Sequence, residues 1–277
     1  MKICPTIAQV KSELHKFKDK RLGFVPTMGA LHEGHLSLIR AAKTQCNAVA
    51  VSIFVNPTQF GPKEDLAKYP RPFERDCELL EKEGVDVLFA PSAEGMYSQG
   101  AVTWVEVESM SGKLCGRSRP GHFRGVTTVV AKLFHIVEPQ AAFFGQKDAA
   151  QAAIIRRMVR DLNFPVEIVV CPIVREPDGL AMSSRNAYLS PEERKSALAL
   201  SRALGEVQKC FDRGERNAVK LLQTGIQEIA RNPAVRLDYF EAVDPDTLEP
   251  KPAVNGPTLI AVAAFVGNTR LIDNVVL

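Results

Sequence analysis

Short apolar runs alternate with amphipathic stretches along the first two thirds of the chain. The run at residues 48–55 is almost continuously apolar and rich in β-branched side chains, which is typical of a strand buried on both faces. The predicted strands cover residues 22–26, 48–55, 85–89, 141–144 and 166–170, and the predicted helices cover residues 34–45, 73–83, 125–137 and 148–162. Gly84 is expected to end the second of these helices as a C′ glycine. Strands that alternate with helices of this length indicate parallel β-α-β units, which bind ligands beyond the carboxyl ends of their strands.

The pattern changes after Val174. Residues 175–179 have the composition of a turn, and Ser190 before Pro191 predicts a helix N-cap with proline at the first helical position. The further predicted elements are a helix over residues 217–230 and strands over residues 235–243 and 258–266. Because two helices followed by two strands do not continue a β-α-β series, we predict a domain boundary near residue 174.

Length and composition agree with this division and narrow the class of protein. A chain of 277 residues allows one large domain or two unequal ones, at about 150 residues per domain. We expect an α/β protein with a Rossmann-like, doubly wound parallel sheet domain over residues 1–174, followed by a smaller α+β domain over residues 175–277. With 45% hydrophobic and 24% charged residues, the chain is ordinary for a soluble globular protein, which excludes disordered, collagenous and membrane classes.

Charge and cysteine usage bear on partners and location. A net charge of +3 is too small to indicate nucleic acid or a membrane surface, so we expect neither partner. The six cysteines are scattered without a C-x-x-C pair, which is typical neither of a disulfide framework nor of a zinc knuckle. The N-terminus lacks the apolar region of a signal peptide, and the longest apolar runs, such as residues 259–266, are shorter than the ~20 residues of a membrane span. We therefore expect a cytoplasmic protein.

The densest chemical motif is P-T-M-G-A-L-H-E-G-H-L at residues 26–36, between the first strand and the first helix of the predicted parallel sheet. A phosphate-binding P-loop has the same glycine spacing, but His35 and Leu36 stand where that motif needs a lysine and a hydroxyl. A zinc protease motif begins with the same pair as His32 and Glu33, but here the second histidine comes one residue early. Both motifs therefore fit poorly.

A nucleotide-binding H-x-G-H turn accounts for this segment best. Gly34 lets the backbone approach a phosphate closely, and the helix N-terminus is expected to offer free N–H groups and positive potential. His32 and His35 lie three residues apart on the first helical turn, where both can face one phosphate and stabilise charge that grows on a phosphoryl group in transit. The alternative is a histidine pair that is satisfied structurally at a helix start.

Further strings match one family in the same order along the chain. They are S-I-F-V-N-P-T-Q-F-G-P-K-E-D-L-A-K-Y-P-R, S-R-P-G-H-F-R-G-V, F-F-G-Q-K-D and D-G-L-A-M-S-S-R-N. With the first motif they resemble the pantothenate synthetases, which belong to the nucleotidyltransferase superfamily with its H-x-G-H signature, over essentially the whole chain. The resemblance implies a homodimeric ligase of pantothenate and coenzyme A biosynthesis. Such an enzyme joins (R)-pantoate to β-alanine, converts ATP to AMP and pyrophosphate, and forms a pantoyl adenylate as the intermediate.

The resemblance also implies roles for individual residues. Those implied for ATP binding are Met28, Gly29, Ala30, Leu31, His32, Glu33, Gly34, His35, Gly145, Gln146, Lys147, Asp148, Val174, Met182, Ser183, Ser184 and Arg185. Gln59 matches a position that contacts pantoate and β-alanine, Gln151 matches one that contacts pantoate, and Asn56 matches a lesser contact. The implied catalytic residues are His35, His32 and Lys147. Mg²⁺ is expected on the phosphates of ATP, and its protein ligands are not indicated.

The chemistry of these residues is consistent with such roles. Lys147 follows a predicted strand and can meet phosphate charge, although a solvated surface lysine is the alternative. Glutamine amides offer both donors and an acceptor, which suits a ligand with hydroxyls and a carboxylate. The segment at residues 182–185 can clamp a leaving pyrophosphate through hydroxyls, N–H groups and a guanidinium. The loop at residues 116–125 either helps to close the site or is a solvated basic loop.

The chain departs from the family pattern at two positions, and two other functions are compatible with its motifs. Gln146 stands where the family usually has glutamate, and Ala150 stands where it usually has a first glutamine. The other functions are a nucleotidyltransferase that leaves AMP on a phosphorylated product and a non-catalytic nucleotide sensor on the same fold. Release of free AMP that requires β-alanine would exclude the first, and release of pyrophosphate would exclude the second.

Overall fold

The computed structural model describes residues 1–62 and 64–277. The strands in these ranges are β1 (Lys2–Cys4), β2 (Leu22–Thr27), β3 (Ala48–Ile53), β4 (Val87–Phe89), β5 (Ala141–Gly145), β6 (Glu167–Cys171), β7 (Val235–Val243), β8 (Leu259–Val266) and β9 (Thr269–Val276). The α-helices are α1 (Ile7–Leu14), α2 (Glu33–Gln45), α3 (Phe73–Lys82), α4 (Ala93–Met96), α5 (Glu108–Ser111), α6 (Cys115–Ser118), α7 (His122–Val137), α8 (Ala149–Asp161), α9 (Pro191–Asp212) and α10 (Ala218–Ala230). Turns of 3₁₀ helix cover His15–Phe17, Pro57–Gln59, Asp65–Ala67, Gln146–Asp148 and Ser184–Tyr188.

Among the described residues, six strands form one parallel sheet in the order β1-β4-β3-β2-β5-β6. β2 lies between β3 and β5, so the order of strands reverses at that point. The loops that follow β2 and β5 therefore open a crevice at the carboxyl edge of the sheet. This confirms the α/β expectation and places the first motif beside the Gly145–Asp148 segment.

The parallel sheet is buried on both faces, which is why its strands read as continuous apolar runs. In β2, Phe24 points into the core shared with α1, α7 and α8, and Val25 points into the core shared with α2 and α3. Both side chains are fully buried. The layers are thus helices, sheet and helices, as in a doubly wound fold.

The second sheet is antiparallel, in the order β7-β8-β9. Along β8, Ile260 and Val262 pack against α9 and α10, whereas Leu259 and Ala261 join the core that includes α1, α7 and α8. The C-terminal sheet is therefore covered by helices on one face and by the N-terminal part of the chain on the other. The domain boundary near residue 174 stays a prediction.

The predicted elements occur within a few residues of their expected bounds, and their end signals are confirmed. Ser190 Oγ caps α9, and Pro191 is its first residue. Gly84, just after α3, has a φ of 67°, as expected for a glycine that follows a helix. α7 begins at His122, three residues earlier than expected, and α8 begins at Ala149 after a 3₁₀ turn.

The sequence-based expectation missed β1, α1, the short helices α4 to α6 and, most importantly, β9. In β9, Arg270, Asp273 and Asn274 interrupt the apolar pattern, yet Asp273 and Asn274 are buried. Their partners lie far away along the chain, so no local pattern marks this strand. No helix in the described ranges has the length and apolar character that a membrane crossing requires.

Candidate active site

The crevice at the carboxyl edge of the parallel sheet contains a cavity of about 220 Å³. A larger cavity of about 870 Å³ adjoins it and extends toward the C-terminal sheet. Five side chains line both cavities: Lys147, Asp148, Gln151, Ser183 and Arg185. The combined space is large enough for a nucleotide and a small acid, since typical ligand sites measure about 300–1,000 Å³.

Most of the residues predicted from the sequence meet in the smaller cavity. They are Met28, His32, Gly34, His35, Asn56, Gln59, Gly145, Lys147, Asp148, Gln151, Val174, Met182, Ser183, Ser184 and Arg185. Gly29, Ala30, Leu31, Glu33 and Gln146 do not line it. Leu31 is buried in the core, Glu33 pairs with Arg40 at the surface, and Gln146 Nε2 donates to Asn274 Oδ1 at 2.9 Å.

The two histidines of the first motif cap the helix that carries them. His32 is the N-cap of α2, and its Nδ1 accepts from Gly34 N at 3.1 Å. His35 Nδ1 accepts from His32 N at 3.3 Å, and the two ring centroids lie 4.1 Å apart. Gly34 is required for this contact, because a Cβ there would lie 2.9 Å from His32 Cε1. Since each Nδ1 accepts a hydrogen bond, we assign the proton of each neutral ring to Nε2.

Both rings are neutral at physiological pH. Burial, reinforced by His32 and Lys147, lowers the pKa of His35 to about 3. Burial and Lys147 also lower the pKa of His32 to about 4. The pair therefore presents Nε2–H hydrogen-bond donors to the cavity rather than two positive charges.

The expectation of free N–H groups at this helix start is wrong for three residues. The N–H groups of His32 and Gly34 donate to the imidazoles, and that of His35 donates to the carbonyl of His32 at 2.8 Å. The caps thus satisfy donors that a helix N-terminus would otherwise leave open. The Nε2–H groups of His32 and His35, rather than these three backbone N–H groups, are therefore the donors that a ligand in the cavity can meet.

Two cations face the cavity from opposite parts of the chain. Lys147 follows β5, and its Nζ lies 3.4 Å from Asp148 Oδ2. Arg185 comes from the segment after β6 and donates through Nη2 and Nε to the Asp65 carboxylate, at 3.0 and 3.2 Å. Burial alone would raise the pKa of Asp148, but Lys147 and Arg185 outweigh it, so the net pKa is lowered and the carboxyl is ionised.

Gln59 is held in place by its neighbours. Its Nε2 donates to Met28 Sδ at 3.0 Å, and its Oε1 accepts from Asn56 Nδ2 at 3.1 Å. Asn56 is only 1% exposed and also bonds Gly125 O and the hydroxyl of Tyr97, at 3.1 and 2.9 Å. In this structure Asn56 therefore orients Gln59 through its own bonds rather than offering an open contact to a ligand.

The segment at residues 116–125 is an exposed turn at its centre, but it leads into the buried start of α7. His122 begins α7 and is buried, with Nδ1 at 2.9 Å from Gln59 O and Nε2 at 2.9 Å from Arg119 Nη1. Because arginine only donates, Nε2 accepts and Nδ1–H donates to Gln59. Burial, with help from Arg119, lowers the pKa of His122 to about 4, and Arg119 pairs with Glu64 at 2.6 Å. This chain of contacts supports the backbone of Gln59 from behind.

Three supporting residues were missed by sequence reasoning: Asp76, His122 and Asn274. His122 lies in one of the family strings, which was a usable signal. Asp76 lies in α3, where a carboxylate on an amphipathic helix looks solvent-exposed, although it is 1% exposed. Asn274 lies in β9, which has no clear sequence pattern. All three bond backbone atoms of segments that carry predicted site residues, and His122 and Asn274 also line the larger cavity.

A parallel sheet covered by helices on both faces, with a crevice at its strand reversal, is typical of Rossmann-like proteins, which bind nucleotides at that point. The model of the pantoate–β-alanine ligase family matches residues 2–276, and the chain belongs to this family. It is thus an enzyme of the ligase class.

Relatives and solved structures agree with this assignment. The chain is 60% identical over 290 residues to the pantothenate synthetase of Acidobacterium capsulatum, covering 100% of this chain and 97% of that protein. It is 59% identical over 279 residues to that of Thermotoga neapolitana, with 100% of both covered. The crystal structure of pantothenate synthetase from Thermus thermophilus matches with a TM-score of 0.95 at 47% identity, covering 99% of each chain. The pantoate–β-alanine ligase of Francisella tularensis, complexed with β,γ-ATP and β-alanine, matches with a TM-score of 0.81 at 36% identity, covering 99% of this chain and 97% of that one.

Proposed function

We propose that this enzyme condenses (R)-pantoate with β-alanine to give pantothenate, AMP and pyrophosphate, through a pantoyl adenylate. The observation that carries the proposal is that imidazole donors, cations and glutamine amides line one cavity. The names of the relatives and the ligands of the Francisella tularensis structure support it.

The reaction has two steps because a carboxylate is a poor acyl donor. A carboxylate oxygen of pantoate attacks the α-phosphorus of ATP, the bond to the bridging α–β oxygen breaks, and pyrophosphate leaves with the electron pair. The amine of β-alanine then attacks the acyl carbon, AMP leaves, and the nitrogen loses a proton to give the amide. The protein has to stabilise charge in the first step and exclude water from the adenylate.

Each group in the cavity suits one of these tasks. His32 and His35 donate from Nε2 to the α-phosphoryl oxygens, whose charge grows in the transition state. Lys147 and Arg185 meet the leaving pyrophosphate, and Gln59 and Gln151 orient pantoate. The remaining ATP contacts that the family resemblance implies, including Asp148 near the ribose and the backbone of Val174, belong to the same proposal.

Mg²⁺ is proposed to enter with ATP. The described residues contain no group of three or more histidine, cysteine or acidic side chains that could hold a metal ion. The donor set at the phosphate position consists of Lys147, Arg185 and the single carboxylate of Asp148. This set fits an ion retained mainly by phosphate oxygens and water, where it neutralises phosphate charge.

Oligomeric state and location follow the same family argument. We propose a homodimer, as the resemblance implies, with pantoate and β-alanine as the small-molecule partners. The six cysteines are all free in the described structure, which suits a reducing compartment, and we place the enzyme in the cytoplasm.

A pyrophosphate-release assay tests the proposed function directly. ATP and pantoate alone should release about one pyrophosphate per active site, because the adenylate stays bound. Addition of β-alanine should start continuous turnover with equal release of AMP. Pyrophosphate without free AMP under all conditions would favour a nucleotidyltransferase, and ATP binding without pyrophosphate release would favour a nucleotide sensor.

Replacement of His35 by alanine should slow pyrophosphate release by about 10²–10⁴-fold, because the variant lacks a positioned donor to the α-phosphoryl group. Rapid-quench measurement of the first turnover, with saturating ATP and pantoate, reports this step. His15→Ala is the matched control, since His15 is exposed and lies at the end of α1. A first-turnover rate in His35→Ala equal to that of His15→Ala would contradict the assignment.

A further inference from the structure

We propose that Asp76 is a positioning residue for the adenylation step, because its buried carboxylate holds the turn that aims the His32–His35 pair. The role in catalysis rests on the proposed function, whereas the role in holding the turn rests on geometry alone. Asp76 lies in α3 and its side chain does not line the cavity.

The carboxylate makes two short hydrogen bonds to one turn. Asp76 Oδ2 accepts from Ala30 N at 2.7 Å, and Oδ1 accepts from Leu31 N at 2.8 Å. The residue is 1% exposed, so these bonds are shielded from water. Hydrogen bonds to an ionised acceptor are stronger than neutral ones, and burial removes the competition from solvent.

The turn that receives these bonds has a conformation that needs support. Gly29 and Ala30 are consecutive residues with positive φ, 80° and 51°. Glycine adopts this region readily, but alanine is disfavoured there because of its Cβ. Successive N–H groups in such a turn converge and form an anion-binding concavity. In this protein the anion is the side chain of Asp76.

Two further contacts show that the turn is held from several sides. Gly29 N donates to Thr27 Oγ1 at 3.2 Å, which anchors the turn to the end of β2. A Cβ on Gly29 would lie 3.1 Å from Asp76 Oδ2, so the carboxylate packs directly against the backbone.

The position of the imidazoles depends on this turn. Leu31, whose N–H bonds Asp76, directly precedes His32, the N-cap of α2. The side chain of Leu31 is buried in the core, so its backbone has little freedom to shift. His32 N in turn donates to His35 Nδ1. A displaced turn therefore moves both rings, and a shift of about 1 Å at a reacting group can cost about 10²-fold in rate.

Asp76→Asn is the principal test. Asparagine keeps the shape but replaces one acceptor oxygen by an NH₂ group, which faces an N–H donor. We expect the first-turnover rate of pyrophosphate release to fall by about 10²-fold, while the Kd for ATP changes by less than about threefold. The control is Asp86→Asn, since Asp86 Oδ2 accepts from Val49 N at 2.8 Å at the opposite edge of the same sheet. That variant should keep the wild-type rate.

The second test asks whether the backbone conformation at residue 30 is what Asp76 supports. Glycine at this position tolerates positive φ, so Ala30→Gly combined with Asp76→Asn should release pyrophosphate faster than Asp76→Asn alone. If Asp76→Asn alone fails to fold, the pyrophosphate-release rate of this double variant is compared with that of the wild type instead. Equal rates in wild type and Asp76→Asn, equal losses in Asp76→Asn and Asp86→Asn, or no recovery in the double variant would overturn the proposal.

A spectroscopic measurement separates this proposal from the proposed function. In ¹⁵N-histidine-labelled enzyme, Asp76→Asn should shift the ring-nitrogen signals of His32 and His35, whereas Asp86→Asn should leave them unchanged. This result does not require any reaction. Unchanged signals in Asp76→Asn would refute the positioning role even if the enzyme makes pantothenate, and shifted signals would support the turn geometry even if it does not.

Discussion

At the scale of single residues, the imidazoles of the first motif do two things at once. On each ring, Nδ1 accepts a hydrogen bond from a backbone N–H, so the ring proton lies on Nε2. From there it can form a hydrogen bond to a phosphoryl oxygen. Burial keeps His32 and His35 neutral. A neutral donor stabilises growing negative charge without having to give up a proton.

A prediction about pH follows from this protonation state. With pKa values near 4 and 3, the two histidines do not titrate between pH 5.5 and 8. The first-turnover rate of pyrophosphate release, measured without β-alanine so that its amine plays no part, should stay nearly constant over that range. A decline with an apparent pKa near 6.5, the ordinary value for histidine, would contradict the assignment.

Stability should depend on pH through His122. Its pKa is about 4 in the folded state, so between pH 6.5 and 4 the unfolded chain binds a proton that the folded protein excludes. Stability therefore falls as the pH drops, by up to about 1.4 kcal/mol per pH unit from this residue. His122→Asn, whose amide can still donate to Gln59 O, should flatten this dependence in urea unfolding at pH 7 and pH 5. An equal slope in both proteins would show that His122 does not contribute.

At the scale of elements, α7 approaches the 3₁₀ turn of Gln59 so closely that only glycine fits between them. A Cβ on Gly125 would lie 2.4 Å from Thr58 O and 2.7 Å from Gln59 Cα. The carbonyl of Gly125 also accepts a hydrogen bond from Asn56 Nδ2, and the same helix turn begins with His122. A single helix end thus sets the position of a proposed substrate-binding amide.

Gly125→Ala should therefore displace the turn. We expect a loss of about 1–3 kcal/mol in the free energy of unfolding from overpacking and a rise of at least about tenfold in KM for pantoate, as expected for about 1.4 kcal/mol of lost contacts. Steady-state kinetics and urea unfolding measure both effects. Gly205→Ala in α9 is the control, since a Cβ there meets nothing within 4 Å and should stabilise by up to about 1 kcal/mol. An unchanged KM in Gly125→Ala would mean that Gln59 does not follow the turn.

At the scale of the whole molecule, β9 joins the C-terminal sheet to the segment that carries Lys147. Asn274 Nδ2 donates to the carbonyls of Gln146 and Lys147, at 2.9 and 3.0 Å. The adjacent Asp273 is 3% exposed and receives two hydrogen bonds from Arg175, at 2.7 and 3.0 Å. The last strand therefore holds the backbone of Gln146 and Lys147 from a distant part of the chain.

Asn274→Asp tests this link with almost no change in volume. The new carboxylate oxygen faces two carbonyls and can donate to neither, so the Gln146–Asp148 segment should shift and KM for ATP should rise by about tenfold or more. The control is Asn217→Asp, because Asn217 caps α10 only as an acceptor and aspartate caps equally well. A wild-type KM for ATP in Asn274→Asp would show that the strand does not position Lys147.

The sequence predicted those features that depend on neighbours along the chain. Ser190 and Pro191 marked the start of α9, and Gly84 marked the end of α3, because caps act within one turn. β8 was recognised by its apolar run. β9 was missed because its buried Asp273 and Asn274 are satisfied by groups about a hundred residues away, and such polar partners leave no periodic pattern.

By itself the sequence determined the α/β class, the order of the longer helices and of most strands, and the candidate residues that can carry the chemistry, since hydrophobic periodicity and motif order are local properties. Only the tertiary structure decided how those residues are held. It placed Asp76 under the turn, His122 behind Gln59 and Asn274 against the Lys147 segment. It also showed that the N–H groups of His32 and Gly34 donate to imidazoles and that of His35 donates to a backbone carbonyl. These contacts join buried groups that lie far apart in the sequence. No local sequence pattern can therefore specify them.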